Sequence, residues 1–217
     1  MIIPKQIWIT CKDKNHLHKD FKENIEVIKN LNDDHKLTII DNTDFVNYIK
    51  NKDVKLYSYY NKLNKDAGAM IGDFIRYVLM YYEGGIYLDM KSGTKKPLNQ
   101  IVNHNQDEII FYNWDNYNQL VQFFLVSKPL HPFYKYLLDE LCKNIDNYTQ
   151  KFKSNKSNVL RLTGPIFISR VFDDFFKEDK PVVRSFKSTK DLIYCRVKDH
   201  STKMENSYTN CKTHLIL

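Results

Sequence analysis

The segment Ala67–Leu98, AGAMIGDFIRYVLMYYEGGIYLDMKSGTKKPL, constrains this chain most, because it commits a helix, a bend and a strand in fixed succession. From Lys65 to Glu83 apolar residues recur at Met70, Phe74, Val78 and Tyr81, and again at Ile71, Ile75, Leu79 and Tyr82. That is the period of a helix with a broad buried face. Asn64 or Asp66 is placed to cap its start. The Gly84-Gly85 pair ends it, since glycine accepts the left-handed backbone that helix C-termini need. Ile86-Tyr87-Leu88 then reads as a short buried strand, and Asp89 falls at its carboxyl end, where open α/β sheets form ligand crevices. Asp73 and Arg76, three residues apart, share one helical face. Taken singly they also fit a structural ion pair, with Asp89 as an ordinary turn former.

The flanking chain alternates strand and helix patterns. Ile2–Thr10 predicts a first strand, Leu17–Asn30 a helix, Leu37–Ile40 a second strand ending at Asp41, and Thr43–Asn51 a helix capped by Thr43 or Asn42. After Asp89 come strands at Glu108–Tyr112 and Gln122–Val126, separated by a polar loop at Asn113–Asn118. A long helix follows at His131–Tyr148, with Pro132 in its first turn. Lys151–Asn158 reads as a mobile loop, Thr163-Gly164-Pro165 opens a helix through Phe176, and Ile193-Tyr194-Cys195 is strand-like. This alternation predicts an α/β fold with a sheet flanked by helices. A chain of 217 residues without internal repeats fits a single domain over 1–217.

Composition narrows the function classes. Net charge is +7, which favours an anionic partner, but the lysines are dispersed and no compact arginine-rich element appears, so nucleic acid is not the expected partner. Cys11, Cys142, Cys195 and Cys211 have neither zinc-ligand spacing nor the density of a disulfide scaffold. Reduced thiols in a cytoplasm are the expectation. No apolar run approaches the roughly 20 residues of a membrane span, so an integral segment is not expected, while peripheral membrane contact stays open.

In order and spacing, IPKQIWIT at Ile3–Thr10, GDFIRYVLMYYEGGIYLDMK at Gly72–Lys91, KPL at Lys96–Leu98, SKPLHPF at Ser127–Phe133 and LTGP at Leu162–Pro165 resemble the DXD-type glycosyltransferases of the GT-A fold, specifically glycosyltransferase family 32. That group includes α-mannosyl- and α-galactosyltransferases and is related to toxin glucosyltransferase domains. The resemblance implies a Rossmann-like mixed sheet flanked by helices. It also implies a retaining transfer of a hexose from a UDP- or GDP-hexose to a glycan, lipid or protein acceptor, in polysaccharide or glycan synthesis. The corresponding setting is a bacterial cytosol or the host cytoplasm of a large DNA virus. A second reading is a non-catalytic sugar-nucleotide or carbohydrate-binding module derived from such an enzyme.

The same resemblance assigns residues. Trp8 matches an aromatic that stacks on the donor base, with Ile9 and Thr10 beside it; a core role for Trp8 is the competing reading. Asp73 and Arg76 match the acid and arginine that contact donor hydroxyls, as a carboxylate acceptor and a forked guanidinium donor can. Tyr77, Gly85 and Gln122 join the donor side, with Tyr77 as packing. Asp115, His131, Thr163 and Gly164 are placed on the acceptor side, where the start of the Pro165 helix presents free N–H groups. Asp89 matches the first acid of the DXD motif, but Lys91 stands where the second acid belongs. Two consequences are open. Either Asp89, the diphosphate, water and a C-terminal ligand such as His200 still hold Mn2+ or Mg2+, or Lys91 supplies the positive charge itself. The first is favoured here, because one ammonium carries less charge than a divalent ion.

Overall fold

Alternation along the first strand, β1 (Gln6–Thr10), sets the layering. Ile7 and Ile9 are fully buried on one side, whereas Trp8 and Thr10 face the other and are only partly covered. The computed structural model describes residues 2–113, 119–149, 155–177, 185–187, 189–197 and 214–217. Within them run β2 (Lys36–Ile40), β3 (Gly85–Leu88), β4 (Gly93–Thr94), β5 (Ile109–Tyr112), β6 (Phe124–Ser127), β7 (Ser185–Lys187) and β8 (Leu192–Ile193). Among the described residues one six-stranded sheet has the order β2-β1-β3-β6-β5-β7, and β4 pairs with β8 in a separate antiparallel ribbon. β2 and β3 are parallel to β1, β6 is antiparallel to β3 and β5, and β7 is parallel to β5. The α/β sheet with helical flanks is the class that the alternation predicts, and its mixed strand directions are what the family resemblance implies.

Helices cover both faces. α1 (Lys19–Leu31) carries the chain from β1 to β2 and buries Phe21, Ile25 and Ile28. Ile25 and Ile28 join Ile7, Ile9, Ile86, Leu88 and Val126 in one core. α2 (Asn42–Lys52), α3 (Val54–Lys62) and α4 (Gly68–Tyr82) lead from β2 to β3. With α5 (Pro132–Asp146), α6 (Asn155–Leu162) and α7 (Pro165–Lys177) they enclose a second, aromatic-rich core on the opposite face, which includes Tyr87, Phe111 and Leu125. The chain leaves β1 for β2 on one side and returns to β3 on the other. Connections therefore diverge between the carboxyl ends of β1 and β3, the position at which open α/β sheets form ligand crevices.

Several local expectations are corrected. β1 begins at Gln6, not Ile2, because the Ile2 and Ile3 amides donate to the His104 carbonyl instead of a neighbouring strand. Asp41, rather than Thr43 or Asn42, caps α2: its carboxylate accepts from the Thr43 and Asp44 amides in a capping box closed by Asp44. Neither Asn64 nor Asp66 caps α4, which starts at Gly68; the Asn64 side chain instead accepts from the Asp66 amide in the preceding turn and donates to the His214 carbonyl. β6 begins at Phe124, leaving Gln122 just before it. Of the expected loop at 151–158, residues 155–158 form the first turn of α6, and 151–154 lie outside the described residues.

Candidate functional site

α4 is apolar nearly all round and buries Met70, Ile71 and every residue from Asp73 to Met80, including Asp73 and Arg76 themselves. Burying charge is tolerated only when it is paired and hydrogen-bonded, and both groups meet that condition. Arg76 Nη2 lies 3.5 Å from Asp73 Oδ1 and 3.3 Å from Asp89 Oδ1. Its Nη1 donates to the Gln122 carbonyl at 2.8 Å, its Nε donates to the Gly72 carbonyl at 3.2 Å, and the guanidinium carbon sits 4.6 Å from the Tyr87 ring centre. Asp73 accepts at 2.8 Å from the Thr163 hydroxyl. Burial pushes its carboxyl up to about 7, against the opposing pull of Arg76 and Thr163.

Asp89 follows β3 directly, and its side chain is 22 % exposed, neither sealed in the core nor standing free in solvent. The Tyr87 hydroxyl donates to Asp89 Oδ1 at 2.7 Å and lies 3.1 Å from the Thr10 hydroxyl. Tyr87 and Asp89 are two apart on the strand and so share its face. One carboxylate oxygen is thereby fixed by a phenol and a guanidinium, while the side chain keeps partial exposure.

The turn after Asp89 is held from two sides. Asn24 of α1 donates to the carbonyls of Met90 and Ser92, each at 2.9 Å. From the other side the Arg196 amide donates to the Lys91 carbonyl at 2.8 Å, and the Ser92 hydroxyl donates to the Tyr194 carbonyl at 2.5 Å. Lys91 Nζ lies 3.2 Å from the Tyr194 hydroxyl and 4.5 Å from its ring centre. Burial works against this ammonium's charge, but Tyr194 and Asp89 outweigh it and hold the pKa above the ordinary lysine value.

The sequence-assigned residues separate into those that converge here and those that do not. Asp73, Arg76 and Asp89 are in direct contact, Thr10 joins Asp89 through the Tyr87 hydroxyl, and Lys91 follows two residues on in the turn beside this cluster. Thr163, Tyr77 and Gln122 lie buried behind it: the Tyr77 hydroxyl donates to the Thr163 carbonyl at 2.7 Å, and the Gln122 amide contacts the Tyr77 hydroxyl. Thr163 thus supports Asp73 instead of lining an open acceptor face, and Gly164 is buried beside it, packed on the Leu160 backbone. The Trp8 indole N–H donates to the Gly84 carbonyl at 2.8 Å, toward the amino end of β3 and away from Asp89, and the ring packs only partly covered on the aromatic-rich core. The Ile9 side chain is fully buried on the other face of the sheet. Gly85 lies at the amino end of β3, against the Gln6 carbonyl, because its positive φ forms the bend there. His131 is likewise far from the crevice: it follows Ser127, which pairs with Gly85, and its Nδ1 accepts from the Phe133 amide as the cap of α5. Asp115 and His200 lie outside the described residues.

Tyr87 and Tyr194 are site residues that the motifs do not single out. The period-2 rule gives access to Tyr87, two positions before Asp89 on one strand face. Tyr194 contacts Lys91 from 103 positions away and has no such local signal.

The family described as a glycosyltransferase sugar-binding region containing a DXD motif matches residues 18–108. Inositol phosphoceramide mannosyltransferases 1 and 2 of Schizosaccharomyces pombe (strain 972 / ATCC 24843) are 27% identical over 105 residues and 26% identical over 110. These matches cover 46% and 49% of this chain but only 29% and 28% of the relatives, so the chain spans less than a third of either. The solved structure of PaToxG glycosyltransferase superposes with a TM-score of 0.61 at 18% identity, covering 81% of this chain and 70% of that one. The fold is that of the GT-A glycosyltransferases.

Proposed function

We propose that this chain is a glycosyltransferase that moves a hexose from a nucleoside-diphosphate donor to a hydroxyl acceptor. The observation that carries the reading is the meeting of Asp73, Arg76 and Asp89 at the divergence of β1 and β3, within the region matched by a glycosyltransferase DXD family. Arg76, held by the Gly72 and Gln122 carbonyls and by Asp73, fixes the partly open Asp89 carboxylate, which suits hydroxyl groups of a bound sugar. Asp73 is in turn braced by Thr163.

On this reading catalysis is mostly positioning. The bond from the sugar anomeric carbon to the diphosphate oxygen breaks, its electron pair stays on that oxygen, and the acceptor oxygen bonds to the same carbon. The acceptor proton passes to the departing phosphate on the same face, which retains the anomeric configuration. The names of the relatives point to mannose as the first hexose to try and to a lipid-borne hydroxyl as the first acceptor, within glycan synthesis more broadly.

The test is donor hydrolysis and transfer across a panel of UDP- and GDP-hexoses. Wild-type protein is expected to release free hexose and nucleoside diphosphate from one of them, and Asp89→Ala to lower that rate by about 100-fold or more while melting normally. Saturable donor binding without turnover would favour the binding-module reading, for which the loss of the second motif acid at Lys91 is the supporting observation. A wild-type rate in Asp89→Ala would remove the proposal.

A further inference from the structure

The DXD resemblance implies a divalent cation at the diphosphate, and the donor set among the described residues does not fit one. Position 91 offers an ammonium, which cannot ligate a cation. One Asp89 oxygen is already engaged by the Tyr87 hydroxyl and Arg76. The backbone oxygens of the turn are also taken: Asp89 accepts from the Ser92 amide, Met90 and Ser92 from Asn24, and Lys91 from the Arg196 amide. Among the described residues no three His, Cys, Asp or Glu side chains cluster as metal ligands. Arg76 and Lys91 both repel a cation approaching Asp89.

Charge balance points the same way. Asp73 and Asp89, even when both ionised, are matched by Arg76 and Lys91. An acid at position 91 would leave two uncompensated negative charges, a deficit of the size a divalent ion fills. With lysine the deficit is absent before any ligand arrives.

The position of Lys91 is fixed in advance. Its carbonyl is pinned by the Arg196 amide, and its ammonium rests against the Tyr194 ring and hydroxyl, on a segment that β4 and β8 tie to the turn. A charge held in place does not have to be reorganised when negative charge develops beside it. We propose that Lys91, clamped by Tyr194, takes the place of the divalent cation, so that the nucleoside diphosphate is bound and released as leaving group without metal. This rests on the reading of the crevice as a sugar-nucleotide site. As the bond to the anomeric carbon breaks and its electron pair goes to the phosphate oxygen, Lys91 stays protonated and pairs with the new charge, while the acceptor proton goes to that oxygen.

The experiment is calorimetric titration of the metal-stripped protein with UDP and GDP, in excess EDTA and then with Mn2+, alongside hydrolysis of the matching hexose donors. One nucleotide is expected to bind with affinities within about threefold in the two conditions, and Lys91→Met to weaken binding at least about tenfold. Lys91→Arg, which keeps the charge, should recover most of it, and Lys91→Asp should make binding depend on Mn2+. Tyr194→Ala should weaken nucleotide binding in EDTA without lowering the melting temperature of the free protein by more than a few degrees. Binding and hydrolysis by wild type only with Mn2+, or unchanged affinity in a folded Lys91→Met, would overturn the inference and leave the transferase reading standing. Failure to bind or hydrolyse any nucleotide donor in either condition would overturn both.

Discussion

At the scale of single residues, Tyr87 organises the crevice by doing two jobs with one side chain. Its ring supports the Arg76 guanidinium, and its hydroxyl links Thr10 to Asp89. Tyr87→Phe separates the two, keeping the ring and removing the link. Asp89 would then lose one of the donors that aim it, and hydrolysis of the donor is expected to fall about tenfold or more, through kcat more than KM. Melting should change little, since one hydrogen bond contributes about 1 kcal/mol net. A variant with wild-type kcat would make the phenol a packing residue only. Asp73, Arg76 and Asp89 were legible in the sequence because helical and strand periods place them relative to each other over 17 positions. Their supports were not, because Thr163 reaches Asp73 from 90 positions away and Asn24 reaches Met90 from 66; no local period reports on such contacts.

At the scale of elements, the double-glycine bend joins the site helix to the site strand. Gly84 has a φ of +63°, and a Cβ there would lie 2.5 Å from the Pro129 nitrogen and 2.7 Å from the Ser127 carbonyl oxygen, both backbone atoms that cannot move aside cheaply. Gly84→Ala is therefore expected to destabilise the protein by more than about 2 kcal/mol, read from the urea midpoint. Gly72→Ala is the contrast: within α4 its Cβ would meet Arg76 at an ordinary 3.5 Å, so stability should rise by up to about 1 kcal/mol. Equal losses in the two variants would mean that the bend is not the constraint described. The bend, β1, β2 and α5 follow from pattern because each carries its own start or stop residue. α3 does not stand out, since it buries only Leu56 and Tyr60 and is separated from α2 by Asp53, which is the C-cap of one helix and the N-cap of the other. β4, two residues long, is too short to show alternation, and β8 (Leu192–Ile193) meets the strand expected at Ile193-Tyr194-Cys195 only at Ile193.

At the scale of the whole molecule, two buried titratable groups near opposite ends of the sheet work against each other as pH changes. Burial raises the Asp73 carboxyl from an ordinary 3.8 to about 7. The folded state therefore favours the protonated acid, so this contribution is full below the ordinary value and is lost as pH rises through about 7. Burial lowers His131 from 6.5 to about 4, an effect to which Lys128 adds. The fold holds the neutral imidazole as a helix cap, so its contribution is full above 6.5 and is lost as pH falls toward about 4. Each shift is worth a few kcal/mol over that window, with opposite sign. Wild-type stability should consequently vary less with pH than that of either single variant. Asp73→Asn removes the acid's contribution, and its stability is expected to climb from about pH 4 to about pH 7. His131→Asn keeps an oxygen able to cap Phe133 but does not titrate, so its stability should fall over the same range. Combining the two should flatten the profile again, because the sites lie at different ends of the sheet and are expected to act additively. Urea midpoints across that range decide the matter: if both single variants run parallel to wild type, burial does not set the protonation of these groups in the folded chain.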